Sequence, residues 1–384
     1  MSMRHNLMED KLLSAVNFMY AIHNHQPVGN FGHVLEKSFE TCYRPQLEVL
    51  KAHPGVRMSA HHSGPLLEWI EANRPGYLDD IAALAESGQV EILSGGFYEP
   101  ILASIPEDDA IGQIVMMNEY VKKRFGVTCQ GMWLAERIWD PSMPKILSAA
   151  GMKFTLLDDT HFYYAGLTAK DMFGYYVTEK HGKTVAVFPI DKNLRYYIPF
   201  KYPNETVDYL AWAASDMGVA GVTYGDDGEK FGVWPETYEW VYGKKWLDNF
   251  YTALEQNSAR IKMTHFSEFI AAHPPMGRVY LPPASYEEMG EWSLNTQSQN
   301  AFHKALEEIQ AAGKKEEYKP FIRGGMWDNF LAKYPEANMM HKKMLYVSSM
   351  AKAAPEKAAA PARKELYQGQ CNCAYWHGLF GGLY

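Results

Sequence analysis

Val16-Asn-Phe-Met-Tyr-Ala-Ile22 runs directly into His23-Asn24-His25-Gln26-Pro27. The first seven residues are mostly apolar and read as a buried strand; the polar cluster closing on a proline reads as the turn that ends it. The same grammar recurs along the chain. Residues 56–60 end in His61-His62, with a helical pattern over 65–72, and residues 90–93 end in Ser94-Gly95-Gly96-Phe97-Tyr98-Glu99-Pro100. Residues 131–134 end in Ala135-Glu136-Arg137, residues 154–157 in Asp158-Asp159-Thr160-His161, and residues 185–190 in Asp191. Residues 219–224 end in Gly225-Asp226-Asp227-Gly228-Glu229. Apolar strand, polar turn and helix in repetition is the signature of βα units on a parallel sheet, here an α/β barrel. A doubly wound open sheet is the competing architecture, but no G-x-G-x-x-G follows the first strand and no P-loop occurs. The polar residues gather at the strands' C-terminal ends, the face on which βα barrels carry their active sites.

After about residue 281 the composition changes. Helix formers dominate residues 287–317 and 326–366, and Pro355 and Pro361 are expected to break the last helix. The expected division is residues 1–280 as the barrel and 281–384 as a helical subdomain packed on it and completing the cleft.

The 384 residues are 47% hydrophobic and 21% charged, with 37 Lys+Arg against 45 Asp+Glu and a formal charge of -8. That is the composition of a folded, soluble protein. The scattered cations offer no footprint for nucleic acid. The early apolar residues 15–22 are interrupted by Asn17 and preceded by Glu9 and Asp10, so neither a membrane span nor a secretory segment is expected. We expect a cytoplasmic protein. Cys42, Cys129, Cys371 and Cys373 are too irregularly spaced for a disulfide framework and are expected to be buried thiols. Ten Trp and twenty-five Tyr make the chain rich in aromatic rings. Several sit beside acids in turn-like sequence, where a flat ring suits the apolar face of a sugar.

Three clusters point to chemistry. Trp133-Leu-Ala-Glu136-Arg137-Ile-Trp139 sets a carboxylate at a strand end beside a cation that would keep it ionised, as a nucleophile needs. Gly225 to Gly232 packs three acids into a few residues, and like charges that close push at least one pKa upward, towards a general acid. The EF-hand spacing of a calcium loop is absent there. His23-Asn-His25 can ligate a metal or donate to hydroxyls, with His61, His62, Asp159 and His161 at other strand ends as further ligands. Paired carboxylates in an aromatic cleft are the equipment of glycoside cleavage.

Taken in order, His23 to Pro27, Gly95 to Pro100, Trp133 to Pro141, Gly225 to Gly232 and Leu281 to Leu294 resemble the five characteristic segments of glycoside hydrolase family 57. Within it the resemblance is to the 4-α-glucanotransferases and related α-amylases, and it continues through Gly324 to Phe330 and Gln370 to Tyr384. It implies an incomplete (β/α)7 barrel followed by a C-terminal helical subdomain, and a retaining reaction on α-1,4-glucan or maltooligosaccharide. By the same resemblance Glu136 is the nucleophile and Asp227 the acid/base, with Asp226 as the fallback. His23, His25 and Glu99 are implied as sugar contacts, Trp133, Trp234, Trp292 and Trp376 as stacking surfaces, and catalysis as needing no metal or other cofactor. The resembled glucanotransferases continue into a β-sandwich where this sequence stops at Gly381-Gly382-Leu383-Tyr384, which implies a catalytic fragment or a shorter relative. Two other classes remain: a metal-dependent hydrolase or deacetylase using His23, His25 and His161, and a catalytically silent glucan-binding protein.

Overall fold

The computed structural model describes residues 15–215, 217 and 219–380. Glu9, Asp10 and Gly381 to Tyr384 lie outside them. Among the described residues one sheet holds nine strands: β1 Val16–Asn24, β2 Met58–His62, β3 Val90–Ile92, β4 Gly131–Met132, β5 Phe154–Asp158, β6 Tyr176–Lys180, β7 Lys183–Ile190, β8 Gly221–Asp227 and β9 Ile261–Met263. Seven of them follow the order β3-β2-β1-β8-β7-β5-β4, each pair parallel. The two ends of that order meet. Ser94 bridges Met132, its N–H donating to Gly131 O at 2.9 Å while its carbonyl accepts from Trp133 N at 2.8 Å. The incomplete seven-stranded barrel implied by the family resemblance is thus present, and it has two thin seams, this one and that between β7 and β8. Between β7 and β8 the strand pairing is the single match Ile190↔Thr223, continued by Asp191 N–H to Thr223 O at 2.9 Å.

Strand periodicity sorts the side chains. Alternate residues point to opposite faces, so Met19 and Ala21 of β1 join Phe154, Leu156, Phe188 and Ile190 in the barrel interior. Phe18, Tyr20 and Ile22 join the larger core beneath the surrounding helices. Phe188 is the hub of the interior, its ring centroid 4.9 Å from Phe266, 5.3 Å from Tyr175 and 5.8 Å from Phe154.

The structure departs from the sequence reading in four places. Strand β6 pairs antiparallel with β7, and β9 lies beside the first three residues of β1; neither was expected, because each is short and lacks an apolar run. Strand β8 continues through Asp226 and Asp227, which the sequence suggested were turn residues. Pro355 does precede a helix, but Pro361 lies inside Glu356–Gln368 instead of breaking it. The burial of Ala359, Leu366 and Tyr367 holds that helix together despite the lost backbone bond. It and the helix Pro335–Ala353 pack on Glu107–Phe125 of the barrel, where Ser348 Oγ and Gln370 Nε2 both donate to Asp109 Oδ2 at 2.6 Å. No helix among the described residues is long and apolar enough to cross a membrane.

Phe188→Ala empties the centre of the barrel, and deletion of a buried Phe ring typically costs about 3–5 kcal/mol. Urea unfolding should show a loss of that size; a change under about 1 kcal/mol would mean that the interior does not depend on this ring.

Candidate active site

At the C-terminal ends of β1 and β2 three imidazoles face one buried carboxylate. His23 continues the inward parity of Met19 and Ala21, and its Nδ1 lies 2.8 Å from His61 Nδ1. One ring of that pair donates and the other accepts. Glu99 is 3% exposed and sits on a left-handed backbone, φ 55°. Its carboxylate lies 3.8 Å from His23 Nε2, 3.8 Å from His25 Nδ1 and 3.6 Å from His61 Nε2. Burial holds His23 and His61 well below the ordinary imidazole pKa and brings His25 to about 4, while burial pushes Glu99 upward. The expected close backbone approach occurs at Gly95, where a Cβ would lie 2.3 Å from His61 Nε2.

Glu136 follows β4 on a strained turn. Both it and Arg137 have positive φ, 51° and 48°, which for residues with side chains is sparsely populated. Ser285 Oγ donates to the Glu136 carbonyl at 2.6 Å and Tyr286 Oη donates to Glu136 Oε2 at 2.9 Å. The adjacent cation acts less strongly than the sequence suggested. Burial raises the Glu136 pKa, Arg137 and Tyr286 pull it down, and the net direction is up. Arg137 is engaged elsewhere, its Nε donating to Asp158 Oδ2 at 3.0 Å.

The paired acids of β8 divide sharply. In the register with β1, Asp227 stands opposite His23 and Asp226 opposite Ile22, so Asp227 takes the barrel-facing side and Asp226 the other. Asp226 receives Arg195 Nε at 3.1 Å and the Lys230 ammonium. Burial alone would raise its pKa, but those two cations hold it below the ordinary value. Asp227 goes the other way, raised by burial and then by the charge on Asp226. Its charge in turn raises Glu136. Glu229 accepts the His25 N–H at 2.8 Å and the Tyr43 hydroxyl at 2.6 Å, both on Oε1, and burial raises its carboxyl to about 8.

Other expected residues lie differently. Trp133 and Trp376 are 1% and 6% exposed. Trp133 stacks on His23 at 4.8 Å, and Trp376 packs on Phe330 while donating to Asn372 Oδ1 at 2.7 Å. These rings are walls, not open platforms. Trp234, 40% exposed, and the half-buried Trp292 keep accessible surface, Trp234 beside Phe200 and Trp292 against Tyr286. His161 does not join His23 and His25. Its ring nitrogens lie 2.9 Å from the carbonyls of Asp158 and Arg137, so the triad of the metal-hydrolase reading is not assembled. His62 turns to Asn24 and Tyr77, and Asp159 to Lys319. The four cysteines are free thiols; Cys42, Cys129 and Cys371 are buried, and Cys373 is only partly so, its Sγ lying 3.3 Å from His25 Nε2. Sequence reasoning missed Tyr286 and Arg195. Tyr286 lay within a recognised segment without being singled out, and Arg195 follows β7 in no motif, its one signal being a cation just after a strand end.

Residues 8–282 match glycosyl hydrolase family 57, and residues 325–384 match the alpha-amylase/4-alpha-glucanotransferase middle domain. The chain is 48% identical over 372 residues to the 4-alpha-glucanotransferase of Thermococcus litoralis, covering 97% of this chain and 55% of that one. It is 47% identical over 369 residues to the alpha-amylase of Pyrococcus furiosus, covering 96% and 56%. The crystal structure of the T. litoralis enzyme superposes with a TM-score of 0.90 at 47% identity, over 95% of this chain and 56% of that one. The alpha-amylase AmyC of Thermotoga maritima, 14% identical, shares the fold at a TM-score of 0.62, over 94% of this chain and 88% of that one. This chain belongs to glycosyl hydrolase family 57. It spans a little over half the length of the curated relatives it matches.

Two outcomes follow from the electrostatics. Asp226→Asn removes the charge that raises Asp227, so a carboxyl-carbon NMR titration should find the Asp227 pKa lowered; an unchanged or higher value would contradict the coupling. Glu229 has its folded pKa raised from 4.5 to about 8, so its stabilising contribution is complete below the unfolded value and is lost as pH climbs towards 8. The unfolding free energy of the wild type relative to Glu229→Gln should therefore fall between about pH 5 and about pH 8, and a flat difference would refute it.

Proposed function

We propose that this chain processes α-1,4-glucans by a retaining double displacement and that its main reaction is 4-α-glucanotransfer between maltooligosaccharides. The observation that carries this is the charge balance around the two acids. Arg137, Arg195 and Lys230 are three buried or nearly buried cations facing two committed anions, Asp158 and Asp226. One positive charge is left over. Burial raises both Glu136 and Asp227, so the surplus favours one ionised carboxylate between them and leaves the other its proton. A nucleophile and a general acid need that division.

In this mechanism the Glu136 carboxylate attacks the anomeric carbon while Asp227 protonates the departing glycosidic oxygen, giving a glycosyl ester on Glu136. Asp227, now ionised, takes the proton from an acceptor's 4-hydroxyl, whose oxygen displaces Glu136 and restores the α-linkage. Asp226 is a poor substitute, because Arg195 and Lys230 keep it ionised. His23, His25 and Glu99 offer polar edges to sugar hydroxyls, and Trp234 and Trp292 offer exposed ring faces. The relatives' names support the substrate class, and the alpha-amylase of P. furiosus supports the second reading, in which water accepts the glycosyl group. We also propose the division at about residue 280 and a cytoplasmic setting, the latter on the scattered free thiols.

Maltotriose should be converted to glucose plus maltooligosaccharides longer than itself. Products only shorter than the substrate would make the chain a hydrolase, and no conversion would end the glucan reading. Glu136→Gln keeps the shape and removes the nucleophile, and turnover should fall by about a thousandfold or more.

A further inference from the structure

The mouth of the barrel holds donor atoms that the protein's own hydrogen bonds leave over. Glu99 Oε2 is 3.8 Å from both His23 Nε2 and His25 Nδ1, and Oε1 is 3.6 Å from His61 Nε2. These separations exceed hydrogen-bonding range. Among the described residues, His25 Nδ1 and His61 Nε2 are buried without a hydrogen-bond partner. The opposite ring nitrogens are engaged: His23 Nδ1 lies 2.8 Å from His61 Nδ1, and His25 Nε2 lies 3.3 Å from Cys373 Sγ. A neutral imidazole that donates through one nitrogen presents a lone pair at the other. When His23 donates to His61 and His25 donates to Cys373, both lone pairs point at Glu99, and His61 keeps an Nε2–H directed at the second carboxylate oxygen.

We propose that His23 Nε2, His25 Nδ1 and Glu99 Oε2 form a seat for a zinc-class divalent cation, and that this cation and a sugar exclude one another from the barrel mouth. The three ligand atoms lie within 4.8 Å of one another. Zinc bonds of about 2.0–2.1 Å set tetrahedral ligand atoms about 3.4 Å apart, so each Glu99–His edge, 3.8 Å here, closes by about 0.4 Å on binding, and the His23–His25 edge, at most 4.8 Å, by no more than about 1.4 Å. Two imidazoles and one carboxylate suit zinc better than magnesium or calcium, which prefer oxygen shells. His61 and Cys373 stand behind the ligands as orienting partners, the arrangement that fixes tautomers at zinc sites. Exclusion of sugar rests on the glucan reading above; binding of the cation does not.

Equilibrium dialysis of the chelator-stripped full chain against zinc chloride tests the seat. Wild type should hold about one zinc per chain, with affinity at least about tenfold weaker in Glu99→Gln and in His25→Asn, each checked for native circular dichroism. Affinity unchanged in both variants, or no retained zinc, overturns the seat. Cobalt(II) in place of zinc should give tetrahedral d–d bands without an intense thiolate charge-transfer band; that band would put the metal on Cys371 and Cys373 and equally overturn it. Maltotriose should raise the apparent zinc dissociation constant in proportion to its concentration. Zinc bound equally well at saturating maltotriose, in a chain that still converts it, overturns the exclusion. Absence of zinc binding with conversion intact rejects the cation seat and leaves the glucan reading standing.

Discussion

Arg195 braces the barrel at one of the two seams where its backbone pairing is thinnest. It follows β7, and its guanidinium reaches Asp158 at the end of β5 at 2.7 Å and Asp226 on β8 at 3.1 Å. Those two acids flank the seam at which β7 and β8 share one matched pair. Arg137 on the β4 turn and Lys230 after β8 close the network from either side. Buried ion pairs contribute little net stability when complete, yet removing one partner strands a charge at about 3–5 kcal/mol. The same atoms that bridge the seam also set the potential felt by Glu136 and Asp227, so barrel closure and acid–base balance are one constraint here.

The strands of this barrel were legible because each is a short apolar run ending in polar residues, a pattern that depends on local sequence alone. The elements that escaped, β6 and β9, are short strands held by their neighbours in place of any apolar run of their own. The acids of β8 were found as a cluster, but their separate environments were not. A turn does not distinguish Asp226 from Asp227, whereas a strand in register with β1 sends them to opposite faces. Trp133 and Trp376 were expected as stacking surfaces by resemblance, whereas both are buried, and burial depends on residues far away in sequence. Arg195 and Tyr286 act through contacts with β5, β8 and the Glu136 turn, pairings that no local pattern encodes.

The helical region does more than cover the barrel. Tyr286 and Ser285 hold the turn on which Glu136 sits, and Asn372 donates both its backbone N–H and its side-chain amide to the Glu99 carbonyl, at 3.1 and 2.5 Å. Both supported residues have left-handed backbones, which persist only where surrounding structure over-determines them. The barrel supplies the carboxylates and the helical region fixes the backbone conformation that aims them.

The link from His25 to Cys373 crosses 348 positions of sequence and that from Glu99 to Asn372 crosses 273. A side-chain cluster gathered from such distant parts of the polypeptide exists in no local piece of it. Any ligand seated there grips early and late residues at once, so its binding energy is added to the cohesion of the entire molecule and not to one lobe. Occupancy and global integrity are thereby a single coupled equilibrium, with the ligand acting as a reversible cross-link between the first strand and the last helices.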